Sequence, residues 1–147
     1  MAGQQQRGAV VTGSSLGIGA AIAQRLAQDG FGVIIDYHTH ADPALALRDA
    51  IVRAGGKATV LQADVSQIPD LQRLIDGCVQ AFGRIDVLVN NAGIEKPTPF
   101  LDVAPADWDA QLTVDLKAPF FATQYAARQM IAQGGGGKIV NISSVHE

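Results

Sequence analysis

The chain has 147 residues, of which 48% are apolar and 17% charged, a balance that excludes a disordered polypeptide. Eleven basic against fourteen acidic side chains leave a net charge of -3, so neither nucleic acid nor an anionic membrane finds a basic face to bind. One cysteine, Cys78, has no partner for an internal disulfide, no apolar run approaches the roughly 20 residues of a membrane span, and residues 1–7 are too polar for a signal peptide. A soluble, cytoplasmic protein is the expectation.

In chain order, short apolar runs alternate with amphipathic stretches. The runs at 9–11, 31–35, 58–61, 85–89 and 138–142 are too short for helices and rich in Val and Ile, which predicts strands buried on both faces. Helical patterns span 17–28, 43–54, 70–82 and 105–133. Gly30, Gly55, Gly83 and the glycine run 134–137 mark helix ends, and Pro43, Pro69 and Pro105 sit near helix starts. A strand follows the glycine run at once, so it reads as a turn and not a linker. The alternation predicts an α/β fold, a doubly wound parallel sheet of Rossmann type with five strands. Residues 1–147 then form one dinucleotide-binding domain without internal boundaries.

The first strand runs into Thr12-Gly13-Ser14-Ser15-Leu16-Gly17-Ile18-Gly19 and then a helix. A phosphate needs backbone N–H groups at a helix N-terminus and no Cβ where it approaches. Gly13 suits the tight turn, while Gly17 and Gly19 suit close approach and close helix–strand packing. The spacing is Gly-x-x-x-Gly-x-Gly, neither the Gly-x-Gly-x-x-Gly fingerprint nor a P-loop. Asp36 ends the second strand, where an acid commonly holds the ribose, although strand alternation points it away; a solvated strand-end acid is the rival reading.

Those residues, with Asp64-Val65, Asn90-Asn91-Ala92-Gly93 and Ile142-Ser143-Ser144, stand in the order and spacing of the short-chain dehydrogenase/reductase family, which the chain resembles along its whole length. Asn90-Asn91-Ala92-Gly93-Ile94-Glu95 and Ser143-Ser144-Val145-His146-Glu147 look most like its glucose 1-dehydrogenase branch. The resemblance implies a cytoplasmic homotetrameric oxidoreductase using NAD or NADP. It implies cofactor contacts from Gly13, Ser15, Leu16, Gly17, Ile18, Gly19, Tyr37, His38, Asp64, Val65, Asn90, Ala92 and Gly93. Asp64 resembles the acid that holds the adenine amino group. Ser144 resembles the catalytic serine that holds the substrate oxygen.

Asp115 departs from the family pattern, which has Asn there at a helix kink, with its backbone carbonyl holding a water of the proton relay. Pro119, four residues on, has no N–H for that carbonyl, so the backbone part of the role can survive the change of side chain; a helix that merely bends to follow the core is the rival reading. Tyr37 falls where NAD-preferring members carry an acid, His38 where many NADP-preferring members carry Arg, and Leu16 where a base is common. With no acid to repel a 2′-phosphate and no arginine to bind one, the lean is towards NADP.

The family's Tyr-x-x-x-Lys acid/base pair follows the serine and is not among these residues, so the chain is expected to be part of a longer protein and to be inactive alone. Its substrate class is a secondary alcohol or carbonyl, a sugar such as glucose included. Alternatives are an oxoacyl or small-ketone reductase, a non-catalytic dinucleotide-binding module and, more distantly, a methyltransferase. His38 and His40 lack a cysteine or carboxylate cluster, so no metal site is expected. His146 lies where a substrate mouth would open, and Glu95 and Lys96 suit an ion pair or rim contact. Trp108, Leu112, Leu116, Phe120, Phe121, Tyr125 and Met130 give the long helix more apolar surface than one sheet face needs.

Overall fold

The computed structural model describes residues 6–144; His146 and Glu147 lie outside the described residues. The strands β1 (Arg7–Val11), β2 (Phe31–Tyr37), β3 (Lys57–Gln62), β4 (Val87–Asn90) and β5 (Lys138–Asn141) form one sheet. Its order is β3-β2-β1-β4-β5, with every neighbouring pair parallel. The connections contain helices α1 (Gly17–Gln28), α2 (Ala41–Arg53), α3 (Ile68–Phe82), α4 (Pro105–Leu112) and α5 (Ala118–Gln133). The chain winds outward from β1 to β3, then crosses back to β4 on the other side of β1. The carboxyl ends of β1 and β4 thus flank the crevice where open α/β sheets take ligands.

Strand periodicity divides the core into two layers. Val10, Ile34 and Leu88 face a cluster with Leu71, Leu74, Ile75 and Met130, while Val11, Val33, Ile35 and Val89 face one with Ala23, Ala27 and Ile51. Ile34, Ile35 and Leu88 are fully buried, each worth roughly 1.5–3 kcal/mol of apolar transfer. The central strands β1, β2 and β4 are buried on both faces as expected. The edge strands are not: β3 is half-buried and β5 largely exposed, because each has a sheet neighbour on one side only among the described residues.

The pattern at 105–133 is two helices and not one. Residues Thr113–Lys117 widen into a π turn, in which the Ala118 N–H bonds the Thr113 carbonyl five residues back. Pro119 follows immediately, and its missing N–H removes the donor that would restore the ordinary ladder. The bend expected from Pro119 is this π turn. The seven apolar side chains of this stretch divide: Phe121, Tyr125 and Met130 pack inward, Leu112 is 40% exposed, and Trp108, Leu116 and Phe120 are each 60–65% exposed. Past α5, Gly134, Gly135 and Gly136 all adopt positive φ before β5 begins, so the glycine run is a turn.

Candidate functional site

At the end of β1 the chain turns through Gly13 (φ +64°) and enters α1 at Gly17 (φ +57°). A Cβ on Gly13 would stand 2.9 Å from the Ala92 Cα, and one on Gly19 would run into the Gly13 carbonyl and the Asn91 side-chain amide. These two glycines let the turn, the helix and the β4 turn nest together. A Cβ on Gly17 would meet nothing within 4 Å, so Gly17 leaves open space at the mouth. The N-cap residue, Leu16, supplies no side-chain cap, and no acid lies in the first turn of α1. The first-turn N–H groups are therefore left without a side-chain acceptor, the condition under which a helix start can take an anion. Leu16 and Ile18 are both about two-thirds exposed beside it.

The turn is tied down by side chains that sequence reasoning passed over. Thr12 Oγ1 accepts the N–H groups of Asn91 and Ala92, each at 3.0 Å. Asn91 Nδ2 donates to the carbonyls of Thr12 at 3.0 Å and Gly13 at 3.1 Å. Asp36 Oδ1 accepts the Ser14 N–H at 2.9 Å and the Ser14 hydroxyl at 3.1 Å, while the Asp36 N–H donates to Ser14 Oγ at 3.0 Å. Asp36 is thus neither a solvated acid nor free to meet a ribose. It is buried against the turn, and desolvation pushes its carboxyl above the usual range despite the Ser14 hydrogen bonds.

The expected adenosine-end residues gather at the carboxyl ends of β2 and β3. Tyr37 is half-buried against the α1–α2 side of the sheet, and His38 is exposed with Nε2 3.6 Å from Asp64 Oδ2. Asp64 Oδ1 accepts the Ser66 N–H at 2.9 Å, and hydrogen bonding from Ser66 holds its carboxyl below the usual range. Neither Asp64 nor Ser66 caps α3, whose N-cap residue is Gln67. Val65 packs against the inner cluster and lines a small void with Thr12 and Asn90.

On the other side of β1, a cleft of about 990 Å³ runs from Ile18 past Asn90, Ala92 and Gly93 to Asp115, Ser143 and Ser144. It brings together residues from four segments that are distant in sequence. Asn90 Nδ2 donates to Asn141 Oδ1 at 2.8 Å and Thr123 Oγ1 at 3.1 Å, locking β4 to β5 and α5. Asp115 reaches the site with its side chain: Oδ1 accepts the Ile94 N–H at 2.9 Å. Nearby, Lys96 Nζ pairs with Asp107 Oδ2 at 2.7 Å, tying the rim loop to the first turn of α4, while Glu95 lines the cleft. Ser15 sits half-buried in the turn. Among the described residues, no three His, Cys, Asp or Glu side chains cluster as metal ligands do.

From the sequence, Thr12, Ser14 and Asn91 take no role of their own, and Asp36 is only a ribose-holding or solvated acid. Their only sequence signal is polarity in otherwise apolar strand ends, and each acts on a partner 22 to 80 positions away. The open helix start, the space at Gly17 and the adjoining cleft fit a nicotinamide dinucleotide, NAD or NADP: an uncapped helix start beside a cleft of about 990 Å³.

Comparison with known proteins agrees. The uncharacterized oxidoreductase YohF of Escherichia coli (strain K12) is 43% identical over 139 residues, covering 95% of this chain and 55% of that protein. Acetoin dehydrogenase from Enterobacter cloacae superposes with a TM-score of 0.91 at 39% identity, covering 98% of this chain and 57% of the other. A short chain dehydrogenase from Burkholderia cenocepacia J2315, solved in complex with NADP, gives a TM-score of 0.89 at 42% identity over 97% of this chain and 58% of the other. The chain spans about half the length of the curated relatives it matches. No described helix is long and apolar enough to cross a membrane. Residues 7–147 match the family described as short chain dehydrogenase, and the chain belongs to that family.

Proposed function

We propose that the protein is an NAD(P)-dependent oxidoreductase acting on a secondary alcohol or its carbonyl. One observation carries this reading: the cleft at the β1–β4 crevice joins the open start of α1 to Ser144 and Asp115. The dinucleotide, when bound, supplies the hydride chemistry at its nicotinamide. The residues here do the rest by position. Ser144 extends from the end of β5 into the cleft, where its hydroxyl holds the substrate oxygen. Asp115 braces the loop after Gly93 through the Ile94 N–H. Pro119, next to the π turn, has no N–H to donate to the Asp115 carbonyl, which supports the use of that carbonyl in a water relay. No proton-transfer step is assigned to these residues, because the Tyr-x-x-x-Lys pair is not among them.

For the substrate, the cleft walls favour a small ketone over a polyol. Ile18, Ile94, Leu116, Phe120 and Ile142 are among its lining, and among the similar solved structures are two acetoin dehydrogenases. The sugar reading rests on the Asn90–Glu95 and Ser143–Glu147 likeness alone. NADP is favoured as cofactor by the lack of an acid at Tyr37 and by the exposed His38 beside it. The apolar surface at Trp108, Leu116 and Phe120 supports a homo-oligomer. The test is turnover of the whole protein with NADPH and NADH against acetoin, diacetyl, an oxoacyl thioester and glucose, followed by nicotinamide absorbance. Oxidation of NADPH by the diketone supports the reading. Cofactor binding with no turnover on any of the four favours a non-catalytic module.

A further inference from the structure

The carboxylate of Asp36 is buried, lies outside the cleft and touches no group to which chemistry is assigned above. Its neighbours are all in one place: the Ser14 N–H and hydroxyl converge on Oδ1, and Ser14 Oγ in turn receives the Asp36 N–H. Ser14 itself is wholly buried, although the next four residues, Ser15 to Ile18, are half-buried or exposed. The carboxylate therefore holds the Ser14 amide in the interior, while the four residues that follow stand nearer the surface. It also links that turn to the end of β2, where Tyr37 and His38 are the next two residues.

We propose that Asp36 is a positioning residue for the cofactor, acting through Ser14 to hold the phosphate-facing turn in register with the ribose end of β2. The proposal rests on the dinucleotide-binding reading above. A dinucleotide's adenosine half spans both pieces that the clamp joins, with its phosphate at the helix start and its ribose at the strand end. Without the clamp the two pieces move independently, and the adenosine half must order them on binding. The nicotinamide end, held by the β4 turn and the cleft, does not depend on this link.

The geometry also predicts how replacements differ. Asparagine at position 36 retains an oxygen that accepts both Ser14 donors, whereas alanine leaves a buried N–H and hydroxyl without their acceptor. Alanine at position 14 removes the hydroxyl and keeps the Ser14 N–H on Asp36.

The experiment is calorimetric titration of the whole protein with NADPH and with 2′,5′-ADP, alongside thermal unfolding without ligand. Asp36→Ala is expected to weaken 2′,5′-ADP by about tenfold or more, and Asp36→Asn by no more than about threefold. Ser14→Ala should fall between them, and the Ser14→Ala/Asp36→Ala double variant should bind like Asp36→Ala alone. In turnover, KM for the cofactor should rise while kcat stays within about twofold. Folded Asp36→Ala binding 2′,5′-ADP as tightly as the wild type overturns the proposal. So does equal loss in Asp36→Asn and Asp36→Ala. If Asp36→Ala does not fold, the order of Asp36→Asn above Ser14→Ala decides, and its reversal overturns the proposal. Failure of the wild type to bind either ligand sinks the NADP preference, and failure to bind NADH as well sinks the dinucleotide reading itself, a separate outcome.

Discussion

Thr12 Oγ1 accepts the Ala92 N–H at 3.0 Å and so joins the turn after β1 to the turn after β4. The same oxygen takes the Asn91 N–H, and Asn91 returns the link through the Thr12 and Gly13 carbonyls. Thr12→Val keeps the shape and loses the acceptor, stranding two N–H groups in a largely buried position. A loss of about 1–3 kcal/mol is expected from urea unfolding, with Thr12→Ser close to the wild type. Equal stability of Thr12→Val and Thr12→Ser would show that the hydroxyl does not hold the two turns.

Gly17 and Gly19 should respond to alanine for different reasons. Gly19→Ala forces a methyl against the Gly13 carbonyl and the Asn91 amide, an overpacking expected to destabilise by about 1–3 kcal/mol. Gly17→Ala meets no atom and bears only the left-handed backbone cost, about 1–2 kcal/mol. Its methyl, however, enters the open space at the start of α1. Calorimetric titration with NADPH should therefore show the greater affinity loss per unit of lost stability in Gly17→Ala. The reverse ranking would place the phosphate elsewhere.

Tyr37→Asp tests cofactor preference by adding a charge. Two like charges about 4 Å apart at the protein surface repel by several kcal/mol before screening, so a 2′-phosphate near position 37 should be rejected. NADP affinity should fall at least about tenfold while NAD affinity holds or rises. Parallel losses for both cofactors would remove Tyr37 from the 2′ site.

Much of this was legible because the signals are local. Val and Ile runs mark the strands, Gly30, Gly55 and Gly83 punctuate the helices, and the glycine turn announces an anion site without any tertiary information. Pro119 foretold a bend, but not that the bend would be a π turn closed by the Ala118 N–H. The role of Asp36 was hidden for a different reason. Ser14 lies 22 positions away on a different element, and only the β1–β2 pairing brings the two side chains together. The exposure of β3 and β5 likewise follows from strand order, which composition does not carry.

Cys78 should be inert in the native state. Its thiol is buried, donates to the Arg84 carbonyl at 3.4 Å, and is pushed up to about 12 by burial and by the nearby Asp86 carboxylate. The folded protein thus keeps the thiol proton where the unfolded chain, with an ordinary value of 9.0, releases it. Stability must fall as pH rises through that window. Cys78→Ala should unfold less steeply with alkali than the wild type, and iodoacetamide should label Cys78 only on unfolding. Fast labelling of the folded protein would contradict the burial.

At acid pH, Asp36 and Asp64 should pull stability in opposite directions. Asp64 is held below its ordinary value of 3.8 by Ser66, so its contribution is present above that pH and is lost as pH falls through the lowered value. Asp36 is raised above 3.8 by desolvation, so the folded state binds the proton more tightly, and stability declines as pH rises from 3.8 through the raised value. Replacing Asp64 with asparagine should flatten the acid-side loss, whereas Asp36→Asn should remove a decline on the other side of 3.8. Urea midpoints measured across that range for both variants and the wild type provide the check. A change of the same sign in both would mean that Ser14 outweighs burial at Asp36, and the carboxylate would then be an ordinary buried ion.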